Sequence, residues 1–157
     1  MLKVMGVDPG LAATGIGIVT GEKNTIHSFA HGCITTSADL SVADRLDLIY
    51  SQVKHVLESE TPDLMVIEDA FVLRENPKSG LSLGKVIGVI LLAASQNKIS
   101  VIEVSVRSAK QVLTGNGNAS KSQLEGAVRH FLQSDVPISP YHASDALALA
   151  LLGLFRN

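Results

Sequence analysis

The sequence has few of the features that mark secreted or membrane-embedded proteins. Cys33 is the only cysteine among 157 residues, which excludes a disulfide framework and a zinc site built from several cysteines. The N-terminus lacks a charged region followed by an apolar stretch of signal length. The longest apolar runs, VIGVILLAA and ALALALLGLF, are about half as long as a bilayer-spanning segment. We therefore expect a soluble protein of the reducing cytoplasm.

The composition is that of a chain that folds around a core. Apolar residues make up 46% of the sequence and the mean hydropathy is +0.29, which argues against disorder. The sequence shows no internal repeat and no linker-like segment. A length of 157 residues suits one compact domain. We expect residues 1–157 to form that single domain.

Charge is unevenly distributed along the chain, although the formal net charge is only -2. Residues 1–70 contain ten acidic and four basic residues, whereas residues 71–134 contain eight basic and three acidic residues. Phosphates respond to local fields more than to the charge of a whole molecule. The segregation suits an acidic metal centre bordered by a basic surface for a polyanion, and ordinary solvated charges are the alternative.

The order of strand-like and helix-like segments predicts an α/β fold. Runs typical of β-strands occupy residues 2–8, 14–20, 25–34, 64–68 and 99–104. Helical spacing and capping signals predict helices over 42–59 and 79–97, a short helix after Ser105, one from Ser120 to about 132, and a last one after Ser139 and Pro140. The first three strands form an antiparallel meander, and two later strands follow helical crossovers. This order predicts a mixed five-stranded sheet with strand four parallel to strand one and helices on its faces.

Two glycines in the second strand and a tetrapeptide near residue 115 indicate local backbone features. Gly15 and Gly17 would weaken the strand or allow another backbone to approach closely. Residues 115–118, with the sequence GNGN, predict a flexible loop.

Acidic residues follow two of the apolar strands. Asp8 ends the first strand and Glu68 ends the fourth. Because parallel strands end at the same edge of a sheet, these carboxylates can approach each other there. His142 and Asp145 are three residues apart and share one face of the last helix. Together the four side chains predict a site for Mg²⁺ or Mn²⁺, and the histidine favours manganese. Two such ions about 4 Å apart can drive phosphodiester hydrolysis.

Each member of this set has a structural alternative. Asp8 lies in an Asp-Pro-Gly sequence, which is also a common turn. Glu68 could face water, and the adjacent Asp69 could be the ligand instead. His142 could be an exposed residue of the first helical turn. Asp145 is the most informative member, because it lies in a helix with almost no polar face.

Several sequence blocks resemble the RuvC-type Holliday-junction resolvases, in order and over nearly the whole chain. They are VMGVDPGLAATGIGIV, HGCITT, RLDLIY, PDLMVIEDAF, SLGKVIGVILLAA, AKQVLTGNGNASKSQL and ASDALALAL. The resemblance implies a ribonuclease-H-like fold, a homodimer, and Mg²⁺- or Mn²⁺-dependent paired nicking of four-way DNA junctions. It also implies work in homologous recombination and DNA repair, in concert with the RuvA–RuvB branch-migration complex.

The resemblance also implies roles for individual residues. By motif match, Asp8, Glu68 and Asp145 carry over as catalytic metal ligands. His142 stands where many members of the family have aspartate and some have histidine, which puts the metal preference in doubt but not the reaction.

The same motif match implies a set of DNA contacts. Phe71 matches a residue that contacts bases at the exchange point, and an aromatic side chain there could stack on an unpaired base. Lys110 and Lys121 match basic positions that bind phosphates near the scissile bond. Arg74 and Lys78 are expected DNA contacts by location alone. The apolar helix containing SLGKVIGVILLAA would form the dimer interface.

Three other functions remain as alternatives at the level of sequence. One is another ribonuclease-H-like nuclease that acts on RNA or duplex DNA. A second is an actin-like or sugar-kinase-like phosphotransferase, since residues 8–19 resemble a phosphate loop, although those proteins need a second domain. A third is a non-catalytic junction-binding module.

Overall fold

The computed structural model of the chain describes residues 1–69 and 76–157. In chain order the described elements are β1 (Leu2–Asp8), β2 (Ala13–Glu22), β3 (Thr25–Thr35), α1 (Val42–Glu60), β4 (Leu64–Glu68), α2 (Pro77–Gln96), β5 (Ser100–Val104), α3 (Val106–Thr114), α4 (Lys121–Leu132) and α5 (Tyr141–Arg156). The predicted order of strands and helices is confirmed, with boundaries that differ by at most about two residues.

The five strands form one mixed sheet in the order β3-β2-β1-β4-β5. β1 pairs antiparallel with β2, and β2 pairs antiparallel with β3. β4 runs parallel to both β1 and β5. The predicted α/β class, the antiparallel meander and the parallel pairing of the first and fourth strands are therefore confirmed. β1 is the central strand, so Asp8 lies at the middle of one sheet edge.

Helices cover both faces of the sheet. Successive side chains of β1 point to opposite faces, so they pack against different helices. Val4 packs with α3, α4 and α5 on one face, whereas Met5 and Val7 pack with α1 and α2 on the other. α5 is the most deeply buried helix, since every residue from Ala143 to Leu154 is buried. An apolar helix seated on the central strands explains why Asp145 has almost no polar neighbours along its own helix.

The serine caps expected from the sequence are present. Ser41, Ser105 and Ser120 are the N-caps of α1, α3 and α4, and each side chain accepts a backbone N–H three residues further on. At α4 the Gln123 side chain also accepts the Ser120 N–H at 2.9 Å, which completes a capping box. This cap fixes the first residue of α4, which is Lys121.

Two helix starts differ from the expectation. α2 begins at Pro77, two residues before the predicted start, because Asn76 caps it with a bond from the Ser79 N–H. α5 begins at Tyr141 with Pro140 as N-cap and without a side-chain cap. Pro140 is extended, with φ -72° and ψ 175°, so the helical turn begins only at the following residue and Ser139 lies outside the helix.

α2 has an apolar inner face and an outer face that exposes two leucines among polar residues. Val86, Ile87 and Ile90 are buried against the sheet and α1, whereas Leu81 and Leu92 are 69% and 51% exposed. α2 is also long and apolar enough to cross a membrane. Within residues 1–69 and 76–157 it is the single helix of which this is true. Its inner face belongs to the core of the domain, whereas Leu81 and Leu92 on the outer face are left exposed by the part of the chain that the structure describes.

Candidate active site

Parallel pairing brings Asp8 and Glu68 together at the carboxyl edge of the sheet. Val7 pairs with Ile67, so the next residue of each strand is an acid at the same level of the sheet. The two carboxyl groups are close enough to share a hydrogen bond when one of them is protonated. Asp69 continues the β4 backbone instead, with its N–H donating to the Val104 carbonyl oxygen at 2.8 Å. Of the two neighbouring acids, Glu68 is therefore the one in contact with Asp8.

The first turn and a half of α5 adds His142 and Asp145 to this edge. His142 Nδ1 lies 2.8 Å from Asp8 Oδ2, and its side chain is 42% exposed. Asp145 is only 8% exposed and is close enough to Asp8 and Glu68 for their charges to interact. The structure thus brings together all four residues that the sequence analysis assigned to the site. His142 is bound to Asp8 and is not a free surface residue.

Burial and mutual repulsion make these carboxyl groups weak acids. Desolvation raises the pKa of Asp8 to about 6, and the charge of Asp145 adds to this effect. Desolvation, followed by the hydrogen bond and charge of Asp8, raises the pKa of Glu68 to about 8. Burial also raises the pKa of Asp145, although Lys121 opposes that shift. Because Asp8 and Glu68 interact strongly, the proton that these raised pKa values retain belongs to the pair.

Lys110 and Lys121 are two lysines whose charges act on the cluster. Lys121 lowers the pKa of all three carboxyl groups, and Lys110 lowers those of Glu68 and Asp145. Neither lysine comes within ion-pair distance of the carboxylates. Their ammonium groups therefore border the acidic centre without neutralising it, as the charge segregation along the sequence indicates.

The loop that joins these two lysines is held by side chains of α3. The Gln111 amide donates to the Gly115 carbonyl oxygen at 3.0 Å and accepts the Gly117 N–H at 3.1 Å. Gly115 has φ +75°, a conformation in which glycine is preferred. The predicted loop is thus present over residues 115–118, with a defined set of hydrogen bonds between Lys110 and Lys121.

The remaining expected DNA contacts divide into two groups. Lys78 is exposed at the start of α2 and lines a groove of about 420 Å³ with Gly10 and Leu11, close to the turn after Asp8. Phe71 and Arg74 lie outside the described residues.

The donor set fits a hard divalent cation. Two buried carboxyl groups and the partly buried Glu68 beside an imidazole are costly without compensating positive charge, and oxygen-rich sets of this kind suit Mg²⁺ and Mn²⁺. No three His, Cys, Asp or Glu side chains within residues 1–69 and 76–157 are already arranged around one ion position. Burial raises the pKa values of these carboxyl groups, so a metal ion competes with protons for them.

Gly6 is a contributor to the site that the sequence analysis missed. A Cβ atom at Gly6 would lie 1.9 Å from the Ala146 carbonyl oxygen, and one at Gly17 would lie 2.6 Å from the Leu147 nitrogen. Both glycines let the α5 backbone rest directly on β1 and β2, which confirms the close approach considered for Gly17. A glycine within the apolar run LKVMGV is the feature of the sequence that could have indicated this close backbone contact.

A mixed sheet of this order, with clustered carboxylates at the end of its central strands and lysines beside them, defines a ribonuclease-H-like nuclease. The family described as "Crossover junction endodeoxyribonuclease RuvC" matches residues 4–152. The chain therefore belongs to the RuvC family, whose members are metal-dependent nucleases. This membership confirms the family, fold and enzyme class expected from the sequence.

Individual relatives agree with this assignment over nearly the whole chain. A crossover junction endodeoxyribonuclease RuvC of Prosthecochloris aestuarii is 39% identical over 151 residues, covering 96% of this chain and 80% of the relative. The structure of Thermus thermophilus RuvC in complex with a Holliday junction substrate matches with a TM-score of 0.92 and 29% identity, covering 99% of this chain and 94% of that one. The yeast mitochondrial Holliday junction resolvase Ydc2 shares the fold, with a TM-score of 0.61 and 16% identity over 98% of this chain and 77% of that one.

Proposed function

We propose that the protein resolves Holliday junctions by paired, metal-dependent nicking of two strands of the same polarity, in homologous recombination and DNA repair. The observation that carries this proposal is the meeting of Asp8, Glu68 and Asp145 at one sheet edge beside Lys110 and Lys121. Membership of the RuvC family and likeness to a RuvC structure with bound junction support four-way DNA as the substrate. The nuclease domain comprises residues 1–157.

The four acidic and imidazole side chains provide the metal-binding groups. Asp8, Glu68 and Asp145 bind Mg²⁺ or Mn²⁺, with two ions per active site, and His142 supplies a nitrogen ligand. The bound ions would supply an activated water and stabilise charge on the leaving oxygen. The proton shared by Glu68 and Asp8 leaves when these carboxylates ionise as ligands. Burial of the cluster keeps bulk water from competing with these interactions.

The basic residues orient the DNA strand relative to the carboxylates. Lys110 and Lys121 bind phosphates near the scissile bond, since their charges are close to the cluster. Lys78 binds the backbone along the groove beside Gly10. Phe71 stacks on a base at the exchange point and Arg74 contacts the backbone nearby.

The outer face of α2 supports a homodimer. Leu81, Gly84, Gly88 and Leu92 follow helical spacing on that face, and all four are exposed. A Cβ atom at either glycine would meet no atom within 4 Å, so a second helix can approach the backbone closely there. A two-fold axis along this face gives two active sites for the two strands cut in one junction. We further propose a cytoplasmic location and cooperation with the RuvA–RuvB complex.

A nicking assay on three substrates tests the proposed function. Equal lengths of four-way junction, linear duplex and RNA–DNA hybrid are incubated with Mg²⁺, Mn²⁺ or EDTA. We expect symmetric cuts in the junction with either metal and none in EDTA. Asp145→Asn should abolish cutting while junction binding persists, because the substitution removes a metal ligand but leaves the basic surface. Asp63→Asn, at an exposed acid on the amino side of β4, is the matched control and should cut normally.

The alternative functions make different predictions in the same assay. A nuclease of this fold that acts on RNA or duplex DNA would cut the hybrid or the duplex as well as the junction. A phosphotransferase would hydrolyse ATP without nicking DNA. A binding module would retain the junction without cutting it under any metal condition. Any of these results would contradict the proposal.

A further inference from the structure

A buried carboxylate in α4 has no part in the site described above. Glu125 is 8% exposed and lies on the inner face of its helix, beside the buried residues Leu124 and Val128. A carboxylate in such a position is costly unless specific partners compensate for the loss of hydration. Its partners therefore indicate what the residue does.

Glu125 connects α4 to the segment that leads into α5. Its Oε1 atom accepts the backbone N–H of Ile138 at 3.0 Å, in a buried contact thirteen residues distant along the chain. The same oxygen lies 2.7 Å from Arg129 Nε, whose N–H does not point at it, so this contact is an ion pair and not a hydrogen bond. The hydrogen bond of the Glu125 carboxylate is thus the one that it accepts from the Ile138 N–H.

The start of α5 is restrained on its sheet side by the close approach of His142 to Gly15 and by the bond between His142 and Asp8, so the contacts that remain to be explained are those of the segment before it. The first turn of α5 lacks a side-chain cap. A cleft of about 430 Å³ opens between Glu125 and residues 137–141, so close packing does not fill the space behind this segment. Ile138 is 4% exposed, and its side chain and its bonded N–H are therefore the local anchors. His142 lies four residues after Ile138, and Asp145 lies seven residues after Ile138.

We propose that Glu125 is a positioning residue for the metal-binding end of α5. Through the Ile138 N–H it fixes where α5 begins, and so holds His142 and Asp145 against Asp8 and Glu68. This inference rests on the proposed function, because it assigns Glu125 to the metal site of that reaction. Partners that orient metal ligands typically change metal affinity by about 10- to 100-fold when they are removed.

A pair of substitutions isolates this hydrogen bond. Glu125→Gln and Glu125→Met have unbranched side chains of similar length, and both remove the ion pair with Arg129. Glutamine retains an oxygen that accepts the Ile138 N–H, whereas methionine offers only a weakly accepting sulfur. We expect Glu125→Gln to bind Mn²⁺ like the unmodified protein in calorimetric titrations. Glu125→Met should bind Mn²⁺ about 10-fold more weakly and cut junctions correspondingly more slowly, with junction affinity in EDTA unchanged.

Val128→Ala controls for reduced stability. Val128 is fully buried one turn away on the same helix face and makes no bond to Ile138. The substitution should lower the thermal midpoint without weakening Mn²⁺ binding at a temperature where the protein is folded. Equal Mn²⁺ affinity of the Gln and Met variants would overturn the positioning role, as would an equal loss of affinity in Val128→Ala.

Hydrogen exchange in the unmodified protein provides a second test that needs no substitution. If the bond to Glu125 and metal binding are linked, Mn²⁺ must strengthen protection of the Ile138 amide together with the first amides of α5. Protection at Ile138 that does not respond to Mn²⁺ would overturn the inference even if Glu125→Met failed to fold. Loss of Mn²⁺ binding and cutting in the unmodified protein would instead contradict the proposed function.

Discussion

The carbonyl oxygen of His142 lies directly over Gly15 of β2. A Cβ atom at Gly15 would be 1.9 Å from that oxygen and 2.3 Å from the carbonyl carbon. Gly15 pairs with Asp8 across the β1–β2 ladder, so this contact is made beside the carboxylate to which His142 is bonded. The absence of a side chain at Gly15 therefore sets the distance between the start of α5 and Asp8.

We expect Gly15→Ala to impair cutting more than folding. The added methyl group must push the first turn of α5 away from β2, and overpacking of this kind costs about 1–3 kcal/mol. The shift separates His142 and Asp145 from Asp8, so junction nicking in Mn²⁺ should fall at least about 100-fold, since small misplacements of reacting groups have effects of that size. Nicking rates and thermal midpoints measured on the same preparations test this expectation.

Gly153→Ala is the matched control for this substitution. A Cβ atom at Gly153 would lie 2.6 Å from Val66 Cγ2 and 2.9 Å from Val4 Cγ1, at the other end of α5. The helix separates this point from His142 by eleven residues, or about 16 Å. The control should lose similar stability and still cut junctions. If both variants lost cutting in proportion to stability, Gly15 would have no special relation to the site.

Part of this site follows directly from sequence patterns. Asp8 and Glu68 end apolar strands, and three helix starts carry serine caps, so the local sequence is sufficient to place these residues on their elements. A carboxylate at Asp145 within an apolar helix is likewise visible without a structure. Local propensity and hydrophobic periodicity decide these features, and both can be read from a few consecutive residues.

Other parts depend on how distant elements meet and could not be predicted in this way. The role of Gly6 follows from where α5 crosses the sheet, whereas the close backbone approach considered for Gly15 from the sequence is confirmed. The bond from Glu125 to Ile138 depends on the path of residues 133–140, which have no periodic pattern. Pro140 is the N-cap of α5 and provides no side-chain cap. Because its backbone is extended, the first helical turn begins only at Tyr141. These features arise from tertiary packing, which overrides local signals.

The raised pKa values predict how stability of the metal-free protein depends on pH. Because the folded-state pKa values of Glu68 and Asp8, about 8 and about 6, exceed the reference values of 4.5 and 3.8, the folded state binds more protons between these limits. The free energy of unfolding contributed by these groups therefore falls as pH rises from about 4 to about 8. In EDTA, Glu68→Gln should show a shallower fall and should be more stable than the unmodified protein at pH 8.

Thermal unfolding in EDTA across this pH range checks the sign. Glu58→Gln is the control, since Glu58 is exposed on α1 away from the cluster, and it should leave the pH profile unchanged. Saturating Mn²⁺ should stabilise the unmodified protein most at high pH, where the ligands are already ionised. A profile for Glu68→Gln that runs parallel to that of the unmodified protein would show that Glu68 does not hold the proton.

Lys121→Ala should weaken junction binding and make it less sensitive to salt. Removing one ammonium–phosphate interaction reduces the slope of log affinity against log salt concentration by about 0.9 for duplex DNA. Lys121 is the first residue of α4 and its charge reaches all three carboxyl groups, so it is well placed to bind a phosphate at the cluster. Fluorescence anisotropy of labelled junctions at several salt concentrations, in EDTA, measures the slope.

Lys54→Ala provides the comparison for Lys121. Lys54 lies on α1, across the sheet from α3, α4 and α5, and pairs with Glu58 on its own helix. Its removal should leave affinity and slope unchanged. A Lys121→Ala protein with the same slope as the control would mean that this ammonium group does not contact phosphate.

Charge on the outer face of α2 should separate the proposed dimer. Leu81 and Leu92 are both exposed, and replacing either by glutamate would place two like charges together across a two-fold interface. We expect Leu92→Glu to elute as a folded monomer in size-exclusion chromatography, with a thermal midpoint lowered by no more than the loss of association accounts for. Such a monomer retains one complete active site, so it should still nick, but the two cuts in a junction should become uncoupled.

Leu40→Glu distinguishes a loss of this interface from a general effect of surface charge. Leu40 is 42% exposed and precedes α1, well separated in sequence from α2. It should elute like the unmodified protein and make paired cuts in a supercoiled plasmid that extrudes a four-way junction. That substrate reports coupling directly, because simultaneous cuts give a linear product and separate cuts give a nicked circle first. A Leu92→Glu protein that remained dimeric and gave linear product would place the subunit interface elsewhere on the chain.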